Sequence, residues 1–413
     1  MSYNVHNPDQ YMASFRPLIA QGRKRIGFLV GAGAPSGIFL PGTKESLIPA
    51  VAGLTTAVLS ALDKQYESVL KNLKNDIPAM NIETLLSQVR SLASVIGKTP
   101  VHGLDSVGYK KLGEEICKEI GTIVDKRLPA GPSPYTDLVS WISGSSREHA
   151  VEIFTTNYDL LFEEAFERAG IPFYDGFSGS REPFFDPSSI ASDDLPPRWT
   201  RIWKLHGSLG WSANNLGEVI RSGGSNSTHL VFPEHLKYER TQKAPYSSLF
   251  DRLRTFLRTP DTLLITTGFS FSDAHISAVL GECLAANPSA NVFAFQFKPL
   301  DEEVCAVDIA SRRGNMSVYS PDKAMINGVE APWRPGDLPT RDWESIRSTY
   351  WSNAGQNGSH FTLGSFSQLA RFFASSRSAQ GSTVENVIPF AKPVVTTAQA
   401  SSEVAAIAAG AQD

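Results

Sequence analysis

Three short polar stretches of this 413-residue chain hold side chains that can bind a ligand or move a proton: Thr155-Thr156-Asn157-Tyr158-Asp159, His206-Gly207-Ser208, and Gly268-Phe269-Ser270-Phe271-Ser272-Asp273-Ala274-His275. A fourth, residues 26–38, reads I-G-F-L-V-G-A-G-A-P-S-G-I and offers glycines instead. An imidazole titrating near about pH 6.5 takes or gives a proton at neutral pH. An asparagine amide orients a water or a hydroxyl, and glycines let main-chain N–H groups close on an anion. Each feature has a plainer alternative. Asn157 or Asp159 caps the helix that follows, Ser272 caps the next with Asp273 in its first turn, His206 is a hydrogen-bonded core histidine, and the glycines only pack tightly. Convergence weighs the other way. Each stretch follows an apolar run of strand length, and ligands of parallel α/β sheets bind just beyond the carboxyl ends of the strands.

The elements that must position them follow from hydrophobic patterning. Apolar runs at 26–30, 151–155, 202–205, 262–267, 291–297 and 316–319 predict buried strands. Helical spacing fills 47–62, 135–143, 159–169, 245–257 and 273–286. This alternation predicts an α/β fold, a Rossmann-like doubly wound parallel sheet covered on both faces. Pro8 and Gly22 bracket an N-terminal helix within 1–24, ahead of a main domain at 25–330. Residues 60–127 read as an all-helical insertion, with Asn81, Glu83 and Thr84 marking a helix start. Residues 174–198 read as a lid or binding loop and 212–230 as a polar loop. Residues 331–413 form a C-terminal extension whose Ala/Ser/Thr-rich part, 376–413, is expected to be poorly ordered or ordered only on a partner.

Gly31, Gly33 and Gly37 give G-x-G-x-x-x-G, one residue longer than the dehydrogenase fingerprint. The carboxylate that such a fingerprint needs about 20 residues on is missing from 48–59. No Gly-Lys-Ser/Thr follows either, so a nucleotide here is held in neither of those two ways. Net charge is −4, and Arg23-Lys24-Arg25 is the only tight basic cluster, which argues against a nucleic-acid surface. The three cysteines show no Cys-x-x-Cys spacing, which excludes a zinc ribbon or disulfide framework and indicates a reducing compartment. His229 and His235 lack a third ligand at suitable spacing. No stretch is long and apolar enough for a membrane, and the N-terminus lacks a signal pattern, so a soluble cytoplasmic protein is expected. Trp199, Trp203 and Trp211 flank His206 and either wall a pocket or fill the core.

In order and wording the motifs resemble the sirtuin family. G-A-G-A-P-S-G-I stands for its Gly-Ala-Gly-x-Ser loop, T-T-N-Y-D for its Thr-Gln-Asn-Ile-Asp, L-H-G-S for its His-Gly stretch and T-G-F-S for its Gly-Thr-Ser turn. The resemblance implies that Gly31, Ala32, Gly33 and Ser36 hold the phosphates and adjoining ribose of NAD, with Thr156 beside them. It implies that Gly268 and Ser270 touch the far side of the dinucleotide. Asn157 would place an attacking water, Asp159 would hold the nicotinamide carboxamide, and His206 would be the general base. Pro35 departs from the small residue usual in the first loop. The four-cysteine zinc module of sirtuin deacylases is also missing, and 60–127 is the candidate replacement cover. That departure resembles the zinc-less, sirtuin-like NAD hydrolases of bacterial anti-phage defence. It implies an NAD glycohydrolase that uses NAD as substrate without zinc. A homo-oligomer and a HerA-type hexameric ATPase partner are implied too, contacted through 1–24, 60–127 and 330–413. A protein deacylase or ADP-ribosyltransferase, and a non-catalytic NAD-sensing subunit, stand as the alternatives.

Overall fold

Strand β1, Arg25–Val30, has neighbours on both sides that are far away in sequence, and this arrangement creates the site. The strands of the main sheet, in chain order, continue as β2 (Glu152–Thr155), β3 (Phe173–Tyr174), β4 (Thr200–Lys204), β5 (Thr262–Thr267), β6 (Asn291–Phe295), β7 (Met316–Tyr319), β8 (Lys323–Ile326) and β9 (Val329–Pro332). They lie side by side in the order β9-β8-β7-β6-β5-β1-β2-β4-β3. All pairs from β7 across to β3 are parallel, and β8 and β9 form an antiparallel hairpin at one edge. The chain thus builds outward from β1 through β2 and β4, then crosses to β5 on β1's other side. The computed structural model describes residues 4–40, 42–77, 80–192, 194–214, 218–221, 245–338, 340, 343–353 and 358–376. The expected tail, His229, His235 and Asp193 lie outside the described residues.

Successive side chains of a strand point to opposite faces, and both faces here are apolar. Phe28, Val30, Ile153, Ile202 and Ile265 pack with the N-terminal helix Pro8–Ala20 and the helices Pro134–Ser143, Leu161–Ala169 and Phe366–Ser376. Leu29, Phe154, Trp203 and Leu264 pack against Tyr246–Arg258, Ala274–Ala286 and Val304–Arg312. Gly27 belongs to the second face, where the Phe256 ring occupies the space a Cβ would need, 2.5 Å from its ideal position. Glu152 at the start of β2 is buried, held by Arg252 at 2.5 and 2.7 Å and by the Trp203 indole N–H at 2.7 Å. Trp203 is therefore a core residue, the plainer of its two sequence readings.

The insertion is helical over Glu67–Asp76, Ile82–Val95 and Ser106–Val124. Leu85, Leu86 and Val89 meet Tyr109, Leu112 and Ile116 in its own small core, continuous with that of the sheet. Asn81 and Thr84 form a reciprocal capping box at the start of Ile82–Val95.

One expectation needs correction. The 174–198 stretch is not a bare loop: Phe177–Ser178 and Phe184–Phe185 join Trp211–Ala213 and Val219–Arg221 in a second, four-stranded sheet, followed by the short helix Pro187–Ser192. Beyond 330 the chain forms further helices, Trp343–Tyr350 and Phe366–Ser376. The helix Phe366–Ser376 brings Phe373 to 4.5 Å from Trp141 and 5.4 Å from Phe28 on β1. The N-terminal helix packs its apolar face within this chain. Met12, Phe15 and Ile19 are fully buried, and Asp9 ties its first turn to Arg347 and Tyr350.

Candidate active site

The four strands that carry the motifs end level with one another. Val30 on β1 is registered with Thr155 on β2 and Thr267 on β5, and Thr155 with Lys204 on β4. Gly31, Thr156 and Gly268 therefore follow directly, and Asn157 and His206 each lie two residues beyond equivalent positions on adjacent strands. Parallel neighbours are about 4.8 Å apart, so the asparagine and histidine stand beyond the ends of adjacent strands. Strand order reverses next to them, between β1 and β5, the kind of place at which open α/β sheets bind ligands.

Backbone bonds lock these loops together. The Gly31 N–H donates to the Thr267 carbonyl at 3.1 Å, Gly33 N–H to the Gly268 carbonyl at 2.9 Å, and Thr156 N–H to the Val30 carbonyl at 3.2 Å. The glycines are needed for this approach. A Cβ on Gly31 would come within 2.4 Å of the Gly268 carbonyl oxygen, and one on Gly268 within 2.4 Å of the Ala34 nitrogen. Gly268 also has φ +62°, in the left-handed region that favours glycine. The tight-packing reading thus holds for Gly31, Gly33 and Gly268, whose amide or carbonyl groups bond loop to loop. Gly37 differs, with φ −81° and only ordinary van der Waals contacts, 3.6 Å or longer, around a would-be Cβ. Gly268→Ala is expected to cost about 2–5 kcal/mol, from left-handed strain plus overpacking. Gly37→Ala should stay within about 0.5 kcal/mol of the parent. Urea unfolding of the two variants checks both.

Asn157 is buried; its N–H donates to Thr155 Oγ1 at 3.0 Å and its Nδ2 to the Gly31 carbonyl at 3.2 Å. Its Oδ1 accepts nothing from the described residues and is left for a water or hydroxyl. Asp159, one residue before the Leu160 N-cap of the helix Leu161–Ala169, accepts the Leu161 N–H through Oδ1 at 3.1 Å, while its carbonyl accepts from the buried Lys204 ammonium. Burial raises the Asp159 carboxyl above its ordinary range, against the pull of Lys204. Ser36 bonds its own turn, donating to the Gly33 carbonyl, and Ser270 shares an exposed hydroxyl contact with Ser272.

His206 is 4 % exposed, and its Nε2 lies 2.9 Å from Asp273 Oδ2. The other ring nitrogen, Nδ1, is buried without a hydrogen-bond partner among the described residues. Asp273 is the N-cap of Ala274–Ala286, accepting the His275 and Ile276 N–H groups through Oδ1 at 2.9 and 3.0 Å. Ser272 does not cap this helix, contrary to the sequence reading. Burial opposes ionisation of Asp273, but the hydrogen bond and charge of His206, with the two capping amides, hold its carboxyl below the ordinary range. An ionised carboxylate only accepts, so Nε2 carries a proton, and in the neutral ring Nδ1 presents its lone pair. Phe271, between the two loops' contacts, holds φ +59° with its ring buried 5.0 Å from Phe269. Such a strained non-glycine residue is of the kind found at ligand sites.

Residues 151–312 match the SIR2-like domain family. The SIR2-like stretch includes β2 to the helix Val304–Arg312, and with them Asn157, Asp159, His206, Gly268 and Asp273. The glycine loop after β1 precedes the matched residues, yet the sheet places it at the same end, beside the loop after β2. No curated protein matches the chain. Among the described residues no group of three or more His, Cys, Asp or Glu side chains is disposed to hold a metal ion, and no helix is long and apolar enough to cross a membrane.

Asp273 was visible in sequence as part of a polar strand-end stretch and as a first-turn acid, but not as the partner of His206. Its second bond joins residues 67 positions apart, and no local pattern signals that.

Proposed function

We propose that this protein hydrolyses NAD to nicotinamide and ADP-ribose in the crevice above β1, β2, β4 and β5. The observation that supports it most is the orphaned, buried Nδ1 of His206, fixed as an acceptor by the Asp273–Nε2 bond. The SIR2-like match over 151–312 supports NAD as the ligand.

Breaking the nicotinamide–ribose bond leaves the electron pair on nicotinamide and positive charge on the sugar, and water supplies the new oxygen at C1′. His206 Nδ1 takes the water's proton, and the resulting imidazolium is stabilised by the Asp273 carboxylate on its other nitrogen. Asn157 Oδ1 accepts a hydrogen bond from the same water and orients it. Asp159 Oδ2, which receives no hydrogen bond from the described residues, is the acceptor proposed for the nicotinamide carboxamide N–H. Ala32, Gly33 and Ser36 at the head of the glycine loop line the phosphate side, with Gly268 and Ser270 opposite. In this reading the enzyme acts in anti-phage defence by draining NAD, restrained by self-assembly and a HerA-type ATPase. Because the N-terminal helix and the insertion bury their apolar faces within this chain, such contacts use their polar outer faces.

Purified protein incubated with NAD, alone and with such a partner, should release free nicotinamide and free ADP-ribose. Asn157→Ala should slow release by about 100-fold. Full activity in that variant contradicts the water-placing role. O-acyl-ADP-ribose or ADP-ribosylated protein in place of free ADP-ribose would instead identify a transferase.

A further inference from the structure

The loop after β2 is held from β4 by a buried lysine. Lys204, the last residue of β4, is 2 % exposed and lies on the apolar sheet face of Ile202, two residues before it. Burying an ammonium is costly unless it is paired and hydrogen-bonded. Its Nζ lies 3.2 Å from Glu163 Oε1 and donates to the Asp159 carbonyl. Glu163 is buried as well, and its Oε2 has no hydrogen-bond partner among the described residues. A pair left half-satisfied adds little to stability, since apolar side chains of similar volume often serve as well. The bond to Asp159 is what gives the lysine a use. The main-chain ladder of Leu161–Ala169 begins with the Glu164 N–H on the Leu160 carbonyl at 2.9 Å, so the Asp159 carbonyl lies one residue outside it. The preceding carbonyl, of Tyr158, accepts the Leu209 N–H at 2.9 Å and the Ser208 hydroxyl at 3.4 Å. Two successive carbonyls of the loop after β2 are thus tied to the end of β4 and to the loop that carries His206.

We propose that Lys204 is a positioning residue, whose ammonium grips the Asp159 carbonyl and so sets the Asp159 carboxyl where the nicotinamide carboxamide binds. This rests on the NAD reading above. A charged donor suits the task, because its hydrogen bonds are shorter and stronger than those of a neutral one. Glu163 supplies the counter-charge that lets the ammonium be buried there. The same placement favours the ionised, accepting form of Asp159: burial raises its carboxyl, Lys204 opposes the rise and Glu163 adds to it.

Binding of the two products separately isolates this role, because only nicotinamide meets Asp159. The double variant Lys204→Met with Glu163→Gln removes both charges at similar volume, so that neither ion is left buried alone. In ligand-observed NMR titrations it should bind nicotinamide about tenfold more weakly than the parent, and in calorimetry it should bind ADP-ribose unchanged. Equal weakening of both ligands, the mark of a merely structural role, overturns the assignment, as does unchanged nicotinamide binding. Glu163→Gln alone is the second variant should the double one not fold. It keeps the ammonium on the Asp159 carbonyl and should weaken nicotinamide by less than about threefold; a tenfold loss would give the role to the ion pair instead and overturn the assignment. A parent that binds nicotinamide yet leaves NAD intact removes the hydrolase reading while the titrations still judge Lys204. A parent that binds neither product removes both.

Discussion

His206→Ala is expected to lower nicotinamide release by about 10²–10⁴-fold, the usual worth of a positioned general base. The lost group is the only one in the crevice with a fixed tautomer and a buried, unpartnered lone pair among the described residues. ADP-ribose binding should persist, since the glycine loop and the loop after β5 keep their mutual bonds in this variant. Quenched-flow or steady-state nicotinamide assays, paired with ADP-ribose titration, test it. Activity within tenfold of the parent would remove His206 from the chemistry.

Asp273→Asn is expected to cost a comparable factor, roughly 10²–10⁴-fold, because an amide can donate to Nε2 and so move the ring proton to Nδ1, leaving no base. The shape of the site and the helix cap survive, as Asn also caps. The stability effect has a definite sign. The Asp273 carboxyl lies below its ordinary range in the folded protein. Its ionised form therefore stabilises the fold fully above about pH 4, and that contribution is lost as pH falls through the lowered value. The stability gap between parent and Asp273→Asn should be largest near neutrality and close under acid. Asp159 runs the other way. Its raised carboxyl makes the anion a cost that acid relieves as pH falls through the raised value. Urea midpoints from pH 3 to 7 for the two asparagine variants should diverge in opposite directions.

The sheet was largely legible because its strands are buried on both faces. Such strands read as unbroken apolar runs, and β1, β5 and β7 fall within about two residues of their patterning. Phe173–Tyr174 was not legible, since a two-residue strand carries no period. The β8–β9 hairpin was missed although its signal was present. Asn327 and Gly328 both adopt positive φ, 52° and 75°, the Asn-Gly turn that right-twisted strands favour. Part of the candidate site was legible for a different reason. Asn157 and His206 stand at strand ends, where topology alone gathers side chains. The partner of His206 was not. Asp273 looked like a helix-terminal acid, which it also is. What joins it to His206 is the meeting of two separate strand-end loops, a relation that no spacing in the chain encodes. The Gly31–Gly268 contact shows the converse: a motif read for phosphate has a packing role that suffices to require its glycines.

The central claim is that the strand-end loops gather around the glycosidic bond of one bound NAD, with His206 Nδ1 as the base. It is tested most directly by mass-spectrometric product analysis of NAD incubated with the parent and with His206→Ala, each alone and with an assembled ATPase partner. The account predicts equimolar nicotinamide and free ADP-ribose from the parent, and intact NAD from the variant. Intact NAD in every parent reaction, or equal product from both proteins, would contradict it.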